Sequence, residues 1–429
     1  MQRYLPDPYI IVIILTMLVF LLGILMTPTS PIDMIKYWGE GFWNLLSFTM
    51  QMVLVLITGY VLANSPFFLK ALKSLASLAK SPGQAIIYVT LVSLIASWIN
   101  WGFGIVIGAL FSKELAKSVR NVDYRLLIAS AYSGFIIWHG GLSGSIPLTI
   151  ATEGHFTQDA IGVIPTSETI FSIYNLVIIG LLFIVLPLLN RMMQPSIESR
   201  VTIDPDLLKS TSTSETAATQ QVITPSEKLQ HSQILSYTIG ILGVLYLTYY
   251  FINNGFSLNL NVVNFLFLFL GIIFHQTPKR FLMAVEDAVK GTSSIIIQFP
   301  FYAGIMGMMV SSGLAVQFSE AFVSVSNSFT FPLLTFFSAG LVNLFVPSGG
   351  GQWAVQAPIM IEAAKAMDVS MAKTAMAVAW GDAWTNLIQP FWALPALAIA
   401  GLKAKDIMGF CFITLIISGI IISFGLLFL

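Results

Sequence analysis

Continuous apolar runs of about 20 residues recur along this chain and restrict it to helices that lie in a membrane. Tyr9–Met26, Phe42–Ala63 and Ile407–Leu429 are three of them. A helix of that length spans the ~30 Å hydrocarbon core of a bilayer. The runs do not show the alternating pattern of a membrane β-barrel. Only 9% of the 429 residues are charged, whereas a soluble domain carries about 25%. We therefore predict an all-α polytopic membrane protein.

Composition and motif spacing exclude several classes of function. The formal net charge is zero, so no basic surface indicates nucleic-acid binding. Cys411 is the single cysteine, which excludes an internal disulfide and a cysteine-based metal cluster. Ser348–Trp353 lacks the Lys-Ser/Thr of a phosphate-binding loop, and Gly141–Ser145 lacks the G-x-S-x-G spacing of a nucleophile elbow. We expect no enzyme, no bound metal other than Na⁺, and no cofactor other than Na⁺ or H⁺ as a coupling ion.

The stretch from Phe331 to Lys365 has two apolar arms around a polar, glycine-rich centre, VPSGGGQW. Pro347 removes a backbone donor, and the three glycines that follow Ser348 release the backbone from helical angles. Each arm, at about 15 residues, is shorter than the ~20 that span a bilayer. Non-helical backbone at membrane depth is tolerated only where it is buried in protein or lines a water-filled cavity. We predict a re-entrant hairpin over residues 331–365, and another over residues 84–119 around the centre NWGFG (Asn100–Gly104).

The order of elements in the first half returns in the second half at an offset near 247 residues. At that offset Asn100 falls on Pro347 and His139 falls on Asn386. Such internal symmetry is typical of secondary transporters. We therefore predict a first repeat 1–190 with hairpin 84–119 and interrupted span 124–152, a cytoplasmic linker 191–232, a linking span 233–252, and a second repeat 253–429 with hairpin 331–365 and interrupted span 372–400.

Basic residues concentrate on the cytoplasmic side of membrane proteins, and here their positions predict that the two repeats are inverted. Lys70–Lys80 and Lys113–Arg125 flank the first hairpin, so both of its ends are expected inside. The loop Glu153–Glu168 lacks Lys and Arg and is expected outside. This path gives nine full spans, with the N-terminus inside and the C-terminus outside. Lys365 and Lys373, which fall outside on this path, are its exceptions.

The tip of each hairpin brings two helix ends to mid-membrane, where bare N–H groups suit a carboxylate and bare carbonyls suit a small cation. Polar residues at the tips and at both interrupted spans supply further ligands. The candidate substrate ligands are Asn100, Trp101, Gly102, His139, Gly140, Gly141, Ser143, Ser145, Ser348, Gly349, Gly350, Gln352, Thr385 and Asn386. The candidate cation ligands are Asn100, Ser143, Ser348, Asp382 and Asn386. The alternative interpretation is that the glycines only allow close helix packing.

His139 and Asp382 are ionisable residues inside predicted spans, where such residues are functional candidates by default. The structural alternative for His139 is a neutral ring bonded to a carbonyl. For Asp382 the alternatives are cation binding, proton carriage, or structural pairing with His139 or a helix end. Tryptophans also gather near the breaks, where they either pack or wall an apolar pocket for an alkyl tail: Trp98, Trp101, Trp138, Trp353, Trp380, Trp384 and Trp392.

Two stretches, WHGGLSGSIPLTIATEGH (Trp138–His155) and VPSGGGQWAVQAPI (Val346–Ile359), strongly resemble the bacterial short-chain fatty acid transporter family. The resemblance runs over nearly the whole chain and includes RYLPDP (Arg3–Pro8). It implies uptake of acetoacetate- and butyrate-like acids, and a place in the ion-transporter superfamily with inverted repeats, re-entrant hairpins, homodimers and elevator-type movement. That superfamily's tips often carry Ser-Asn-Thr, which is missing here, so its sodium ligands are not transferred. Arginines that pair with a second carboxylate are also missing from the tips, which suits a monocarboxylate.

The main hypothesis is therefore a bacterial inner-membrane secondary transporter of short-chain monocarboxylates, such as butyrate or acetoacetate, coupled to Na⁺ or H⁺ and moving like an elevator. Its expected partners are the carboxylate, the lipid bilayer and a second copy of the chain in a homodimer. The alternatives are a dicarboxylate or amino-acid-derivative transporter on the same fold, and a channel or sensor.

Overall fold

The computed structural model describes residues 8–203, 224–344 and 346–429, and within these ranges it contains helices and no strand. Most of the Arg3–Pro8 motif and the centre of the predicted linker lie outside the described residues. The helices of the first half are α1 Pro8–Met26, α2 Pro31–Gly41, α3 Leu46–Ala63, α4 Pro66–Ala76, α5 Pro82–Ile99, α6 Trp101–Ser118, α7 Tyr124–Ser133, α8 Ser145–Ile150, α9 Gln158–Ile161 and α10 Ile173–Met192.

The second half has a similar succession of long and short helices. They are α11 Pro225–Gln230, α12 Gln233–Asn254, α13 Leu260–His275, α14 Pro278–Val289, α15 Ser293–Ser311, α16 Leu314–Ser324, α17 Phe331–Asn343, α18 Gly349–Ala366, α19 Met371–Asn386, α20 Pro390–Ala400 and α21 Ala404–Phe428. Two 3₁₀ helices, Gly134–Gly140 and Ile197–Ser199, complete the described structure.

Several helices have the length and hydropathy of a membrane span. There are seven in the described ranges, or eight if α15 and α16, which bend by 76° at their junction, form one span. The nine spans expected from sequence include α13 and the pair α19–α20, whose helices are individually shorter than 18 residues. Conversely, α5 has 18 residues and meets the length of a span, although the sequence placed it in a hairpin. Length alone therefore does not separate a hairpin arm from a span.

The outer helices carry large apolar side chains on their exposed faces. Met17 of α1, Ile241 of α12 and Phe424 of α21 are among them. Contiguous apolar surface of this kind is unfavourable in water but matches the hydrocarbon of a bilayer. The arrangement is that of a multi-pass membrane protein.

The breaks at the two predicted hairpin tips are narrower than the sequence suggested. Only Asn100 separates α5 from α6, so the expected loop NWGFG is wrong and Trp101–Gly104 are helical. In the second half α17 ends at Asn343 and α18 begins at Gly349, so the glycines expected to unwind form the first turn of α18. Asn100 Oδ1 accepts a hydrogen bond from the Phe103 N–H at 2.9 Å, which caps α6 and allows the helix to begin at once.

The same packing partners recur in both halves of the chain. The most extensive contact between two helices is that of α17 with α19, and α5 lies in a similar way along α7 and the 3₁₀ helix Gly134–Gly140. Likewise α6 packs on α3, and α18 packs on α15. In each half the first arm of the predicted hairpin therefore lies against the interrupted span.

Candidate functional site

The first break lies against the turn that interrupts the first half's broken span. The backbone N–H of Trp101 donates to Ser143 Oγ at 2.8 Å, and the Leu142 N–H donates to Trp98 O at 2.7 Å. A Cβ atom placed on Gly141 would lie 2.3 Å from Trp98 O, so only glycine permits this approach. The turn therefore meets both the carbonyl end of α5 and the N-terminus of α6.

His139 is fully buried and is held through both ring nitrogens. Its Nδ1 lies 2.7 Å from Ala379 O, and because a carbonyl only accepts, this nitrogen carries the hydrogen. In the neutral tautomer that this bond selects, Nε2 accepts from the hydroxyl of Ser145 at 2.9 Å. The structural alternative for His139 is a neutral ring bonded to a carbonyl, and the bond from Nδ1 to Ala379 O is the contact that this alternative expects.

The second break brings the N-terminus of α18 onto the same two side chains. A Cβ atom on Gly349 would lie 2.3 Å from His139 Nε2 and 2.6 Å from Ser145 Oγ. The first N–H groups of a helix have no intrahelical partner and carry partial positive charge. His139, Ser145 and the first turn of α18 are therefore packed closely against one another. We call these three parts the central cluster.

Asp382 lies beside the central cluster and is fully buried. Its Oδ2 accepts from Asn386 Nδ2 at 3.1 Å, and its Oδ1 accepts no hydrogen bond from any described residue. The distance from Asp382 Oδ2 to His139 Nδ1 is 3.8 Å, which is too long for a hydrogen bond. The two ionisable side chains are neighbours, and the carboxyl group keeps one oxygen available.

The sequence did not single out Asn343, which connects the second break to the Asp382 region. Its Nδ2 lies 2.9 Å from Asp382 O, 2.9 Å from Thr385 Oγ1 and 3.0 Å from Asn386 Oδ1. Gln389 Nε2 donates to Asn343 O at 2.9 Å. One sequence signal could have identified Asn343: it is the only Asn or Gln in the apolar arm FPLLTFFSAGLVNLF.

A further contact joins the two halves of the chain at this point. The hydroxyl of Tyr132, on α7, donates to Asn386 O at 2.6 Å. With the bond from His139 to Ala379, it ties the first interrupted span to the second. The sequence could not identify Tyr132 because the bond spans 254 positions of the chain.

Other predicted site residues make packing or capping contacts. Gln352 Nε2 donates to Ala339 O and to Gln356 Oε1, both at 2.8 Å, which joins the arms of the second hairpin. Ser348 caps α18 by accepting from Gly351 N at 3.4 Å. The remaining glycines allow close approach: Gly102 to Leu56, Gly140 to Trp380 and Asn175, and Gly350 to Phe48.

Three of the tryptophans near the breaks form one aromatic group. The ring of Trp101 lies 5.9 Å from that of Trp138 and 5.3 Å from that of Trp392, between centroids. Trp380 and Trp384 instead donate hydrogen bonds, to Asn175 Oδ1 and to Leu415 O respectively. The aromatic group adjoins His139 through Trp138 and supplies apolar surface beside the central cluster.

The polar groups here can bind ions without Lys, Arg or a metal centre. The buried polar side chains in the described parts of the chain include no Lys or Arg. Those parts also contain no group of three His, Cys, Asp or Glu residues that could hold a metal ion. Carboxylate, amide and hydroxyl oxygens at Asp382, Asn386 and Thr385 are hard ligands of the kind that suit an alkali cation or a proton.

Helices broken at a buried polar centre define a multi-pass membrane protein with the architecture that transport proteins use. The family model described as "Short chain fatty acid transporter" matches residues 1–429. The chain belongs to the short chain fatty acid transporter family, as the stretches Trp138–His155 and Val346–Ile359 predicted.

Two relatives agree with this assignment. A protein of Escherichia coli (strain K12) is 47% identical over 429 residues, covering 99% of this chain and 96% of its own. A protein of Haemophilus influenzae (strain ATCC 51907 / DSM 11121 / KW20 / Rd) is 46% identical over 435 residues, covering 100% and 97%. Both are named "Putative short-chain fatty acid transporter", so the relatives are named as transporters and not as enzymes.

Two solved structures share the fold at low sequence identity. The YdaH transporter of Alcanivorax borkumensis superposes with a TM-score of 0.60 at 16% identity, covering 97% of this chain and 98% of that one. MtrF of Neisseria gonorrhoeae, from a class of antimetabolite efflux pumps, gives a TM-score of 0.51 at 15% identity, covering 98% and 95%. At these identities the likeness concerns the fold alone.

Proposed function

We propose that this protein is a secondary active transporter of short-chain monocarboxylates, coupled to Na⁺ or H⁺, in the bacterial inner membrane. The observation that carries the proposal is the approach of Gly349 to His139 and Ser145, which puts a helix N-terminus against two neutral polar side chains. The relatives' printed names agree with a short-chain fatty acid as the substrate.

The carboxylate binds at the central cluster. The N–H groups that open α18 donate to one carboxylate oxygen, and the hydroxyl of Ser145 turns from His139 Nε2 to donate to the other. Before the carboxylate binds, His139 holds the Ser145 hydroxyl through Nε2, since its own Nδ1 is fixed on Ala379 O. Hydrogen bonds to a charged group are worth about 1.5–3 kcal/mol each, which is enough to select the carboxylate over the uncharged amide of the same acid.

The coupling ion binds at Asp382. The free Oδ1 of Asp382 and the amide oxygen of Asn386 supply oxygen ligands, while a proton would bind to Asp382 itself. A buried carboxylate without a counter-charge costs several kcal/mol, so binding of Na⁺ or H⁺ there is favourable. Its closeness to His139 couples the charge of the ion to that of the carboxylate substrate.

One carboxylate with one apolar tail fits these surroundings best. The central cluster has one helix N-terminus for an anion, and the buried polar residues in the described ranges include no Lys or Arg for a second carboxylate. The aromatic group of Trp101, Trp138 and Trp392 offers apolar surface to an alkyl tail. A dicarboxylate would bring a second negative charge into a site without a partner for it, which costs several kcal/mol.

The conformational cycle is proposed to be of the elevator type, in a homodimer. The recurrence of α5 on α7 and of α17 on α19 supports inverted repeats that move as paired hairpin and span units. On this topology the linker 191–232 is cytoplasmic, the N-terminus is inside and the C-terminus is outside.

Uptake by purified protein in liposomes tests the proposal. Labelled butyrate should accumulate uphill when a Na⁺ gradient or a pH gradient is imposed separately, and unlabelled butyrate or acetoacetate should compete better than succinate. Passive equilibration without accumulation would indicate a channel. Stronger competition by succinate would indicate a dicarboxylate carrier, and no flux under either gradient would refute transport.

A further inference from the structure

A polar cavity opens beside the central cluster, at the far end of helix α8. It has a volume of about 120 Å³, well above the ~10–15 Å³ that one water molecule requires. Its lining is mostly neutral and hydrogen-bonding, with Glu153 as the one acid: Asn44, Ser47, Phe48, Gln51, Thr149, Thr152, Glu153, Gly154, His155, Phe156 and Leu260. We call this cavity the vestibule.

A single helical turn separates the vestibule from the central cluster. Helix α8 begins at Ser145, which belongs to the cluster, and Thr149 of the same helix lines the vestibule. The two residues are joined directly, since Thr149 Oγ1 donates to Ser145 O at 2.5 Å. The vestibule therefore lies within one turn of the proposed carboxylate site.

Phe48 lies between the vestibule and the first turn of α18. Its ring lines the vestibule, and a Cβ atom on Gly350 would lie 2.4 Å from its Cζ, so the ring rests on the first turn of α18. Phe156 and Phe299 hold the ring from the sides, at centroid distances of 5.6 Å and 5.7 Å. Phe48 is only 6% exposed as a result. Aromatic contacts of this kind are individually weak, so the ring can turn aside.

We propose that the vestibule is the route by which the carboxylate reaches the central cluster, and that Phe48 is the gate that closes it. The proposal rests on the proposed function. The vestibule adjoins the loop Glu153–Glu168, which is expected on the outer face, so the route serves substrate arriving from outside. The neutral amides and hydroxyls replace part of the hydration of the acid, and movement of one phenyl ring then uncovers the N–H groups of α18.

Cysteine labelling from the outer face tests the gate. Cys411, the single cysteine, is buried and is replaced by alanine to give a cysteine-free background. Ser145→Cys then reports the central cluster, and Ser47→Cys reports the vestibule, where Ser47 is exposed. A membrane-impermeant methanethiosulfonate reagent should label Cys at 47 quickly and at 145 slowly. Adding Phe48→Ala should raise the rate at 145 by about tenfold or more while leaving the rate at 47 unchanged.

A matched control removes a different ring from the helix that supplies Phe299. Phe301→Ala takes away contacts with Tyr9, Trp38 and Phe42 and leaves Phe48 in place, so labelling at 145 should stay slow. An unchanged rate at 145 in the Phe48→Ala background, or an equal rise with Phe301→Ala, overturns the gate. Butyrate binding to Phe48→Ala with Ser145 intact tests the carboxylate site separately. Unchanged labelling at 145 together with normal butyrate binding overturns the gate alone, whereas faster labelling together with no butyrate binding leaves the gate standing and refutes the proposed carboxylate site.

Discussion

At the scale of single residues, the buried carboxyl group of Asp382 is costly to place in the interior. Insertion of an Asp at the centre of a membrane helix costs about 2.5–3.5 kcal/mol. Asp382 recovers one hydrogen bond, from Asn386, and its second oxygen accepts none from the described residues. The proposed coupling ion would bind at this free oxygen.

Replacement of that carboxyl group tests its role. Asp382→Asn keeps the shape of the side chain but removes the charge that a cation or proton needs. Gradient-driven butyrate accumulation in proteoliposomes should fall by about tenfold or more, while thermal stability stays near that of the wild type. Asp159→Asn, at an exposed position, is the control and should change neither. An unchanged response to Na⁺ and pH gradients in Asp382→Asn would remove it from the coupling site.

The hydrogen bonds of Asn343 predict that its replacement destabilises the protein. Its amide contacts Asp382 O, Thr385 Oγ1 and Asn386 Oδ1, and removing a buried partner leaves those groups unsatisfied. Asn343→Ala should therefore lower the free energy of unfolding by about 1–3 kcal/mol in detergent. Asn253→Ala removes an exposed amide bonded only to Tyr249 O and should cost less than about 0.5 kcal/mol. Equal melting temperatures for the two variants would contradict this role of Asn343.

At the scale of elements, the start of α18, in the second half of the chain, contacts residues of the first half. A Cβ atom on Gly349 would overlap His139 Nε2 and Ser145 Oγ. Gly349→Ala should therefore abolish transport and destabilise the fold by about 1–3 kcal/mol, because its neighbours are themselves hydrogen-bonded. Gly409, also helical, has nothing within 4 Å of its added Cβ, so Gly409→Ala should keep both properties. Uptake measured in parallel for the two variants decides this, and normal uptake by Gly349→Ala would show that the approach is not required.

The sequence predicted where these elements break but not how. Pro347 and the glycines after Ser348 correctly marked a break, and the NWGFG centre marked the other. The unwound length was overestimated because capping by Asn100 and Ser348 lets each helix restart at once. The glycines serve close approach to Phe48, Tyr302 and His139, and such tertiary neighbours are invisible to local patterns.

The base of the first interrupted span is held by Asp123. This buried side chain caps α7 through the Leu126 N–H, pairs with Arg125 at 2.8 Å, and accepts from the N–H of Val201 at 2.9 Å. Burial by itself raises the pKa of Asp123, but the hydrogen bonds from Arg125, Val201 and Leu126 outweigh it and the pKa lies below its usual value. Asp123 thus fixes the start of the linker to the start of the span.

The pH dependence of stability follows from that direction. A lowered pKa means that Asp123 contributes its full stability above its unfolded pKa of about 3.9, and loses it as the pH falls through the folded value. Asp123→Ala should cost about 0.5–2 kcal/mol at pH 7, and the gap to the wild type should close below about pH 4. Asp287→Ala removes only an exposed pair with Lys290 and is the control. Melting curves recorded from pH 3 to 7 check this, and a gap that stayed constant with pH would contradict it.

At the scale of the whole molecule, the polar region joins the two halves of the chain. His139 and Tyr132 of the first half bond to backbone carbonyls of α19 in the second half. At the offset of 247 residues His139 falls on Asn386, and both residues lie in this region. The sequence could not predict the bond from His139 to Ala379 or the contacts of Asn343 with α19, because both depend on tertiary packing.

The central claim is that a carboxylate binds where α18 begins, against Ser145. The affinity of the purified protein for butyrate tests it most directly, compared among the wild type, Ser145→Ala and the control Ser112→Ala, whose hydroxyl bonds only to the backbone of Gly108 and Leu127. Loss of one hydrogen bond to a charged group is worth about 1.5–3 kcal/mol, so the dissociation constant should rise about tenfold or more in Ser145→Ala and stay unchanged in Ser112→Ala. An affinity for butyrate in Ser145→Ala equal to that of the wild type would contradict the account.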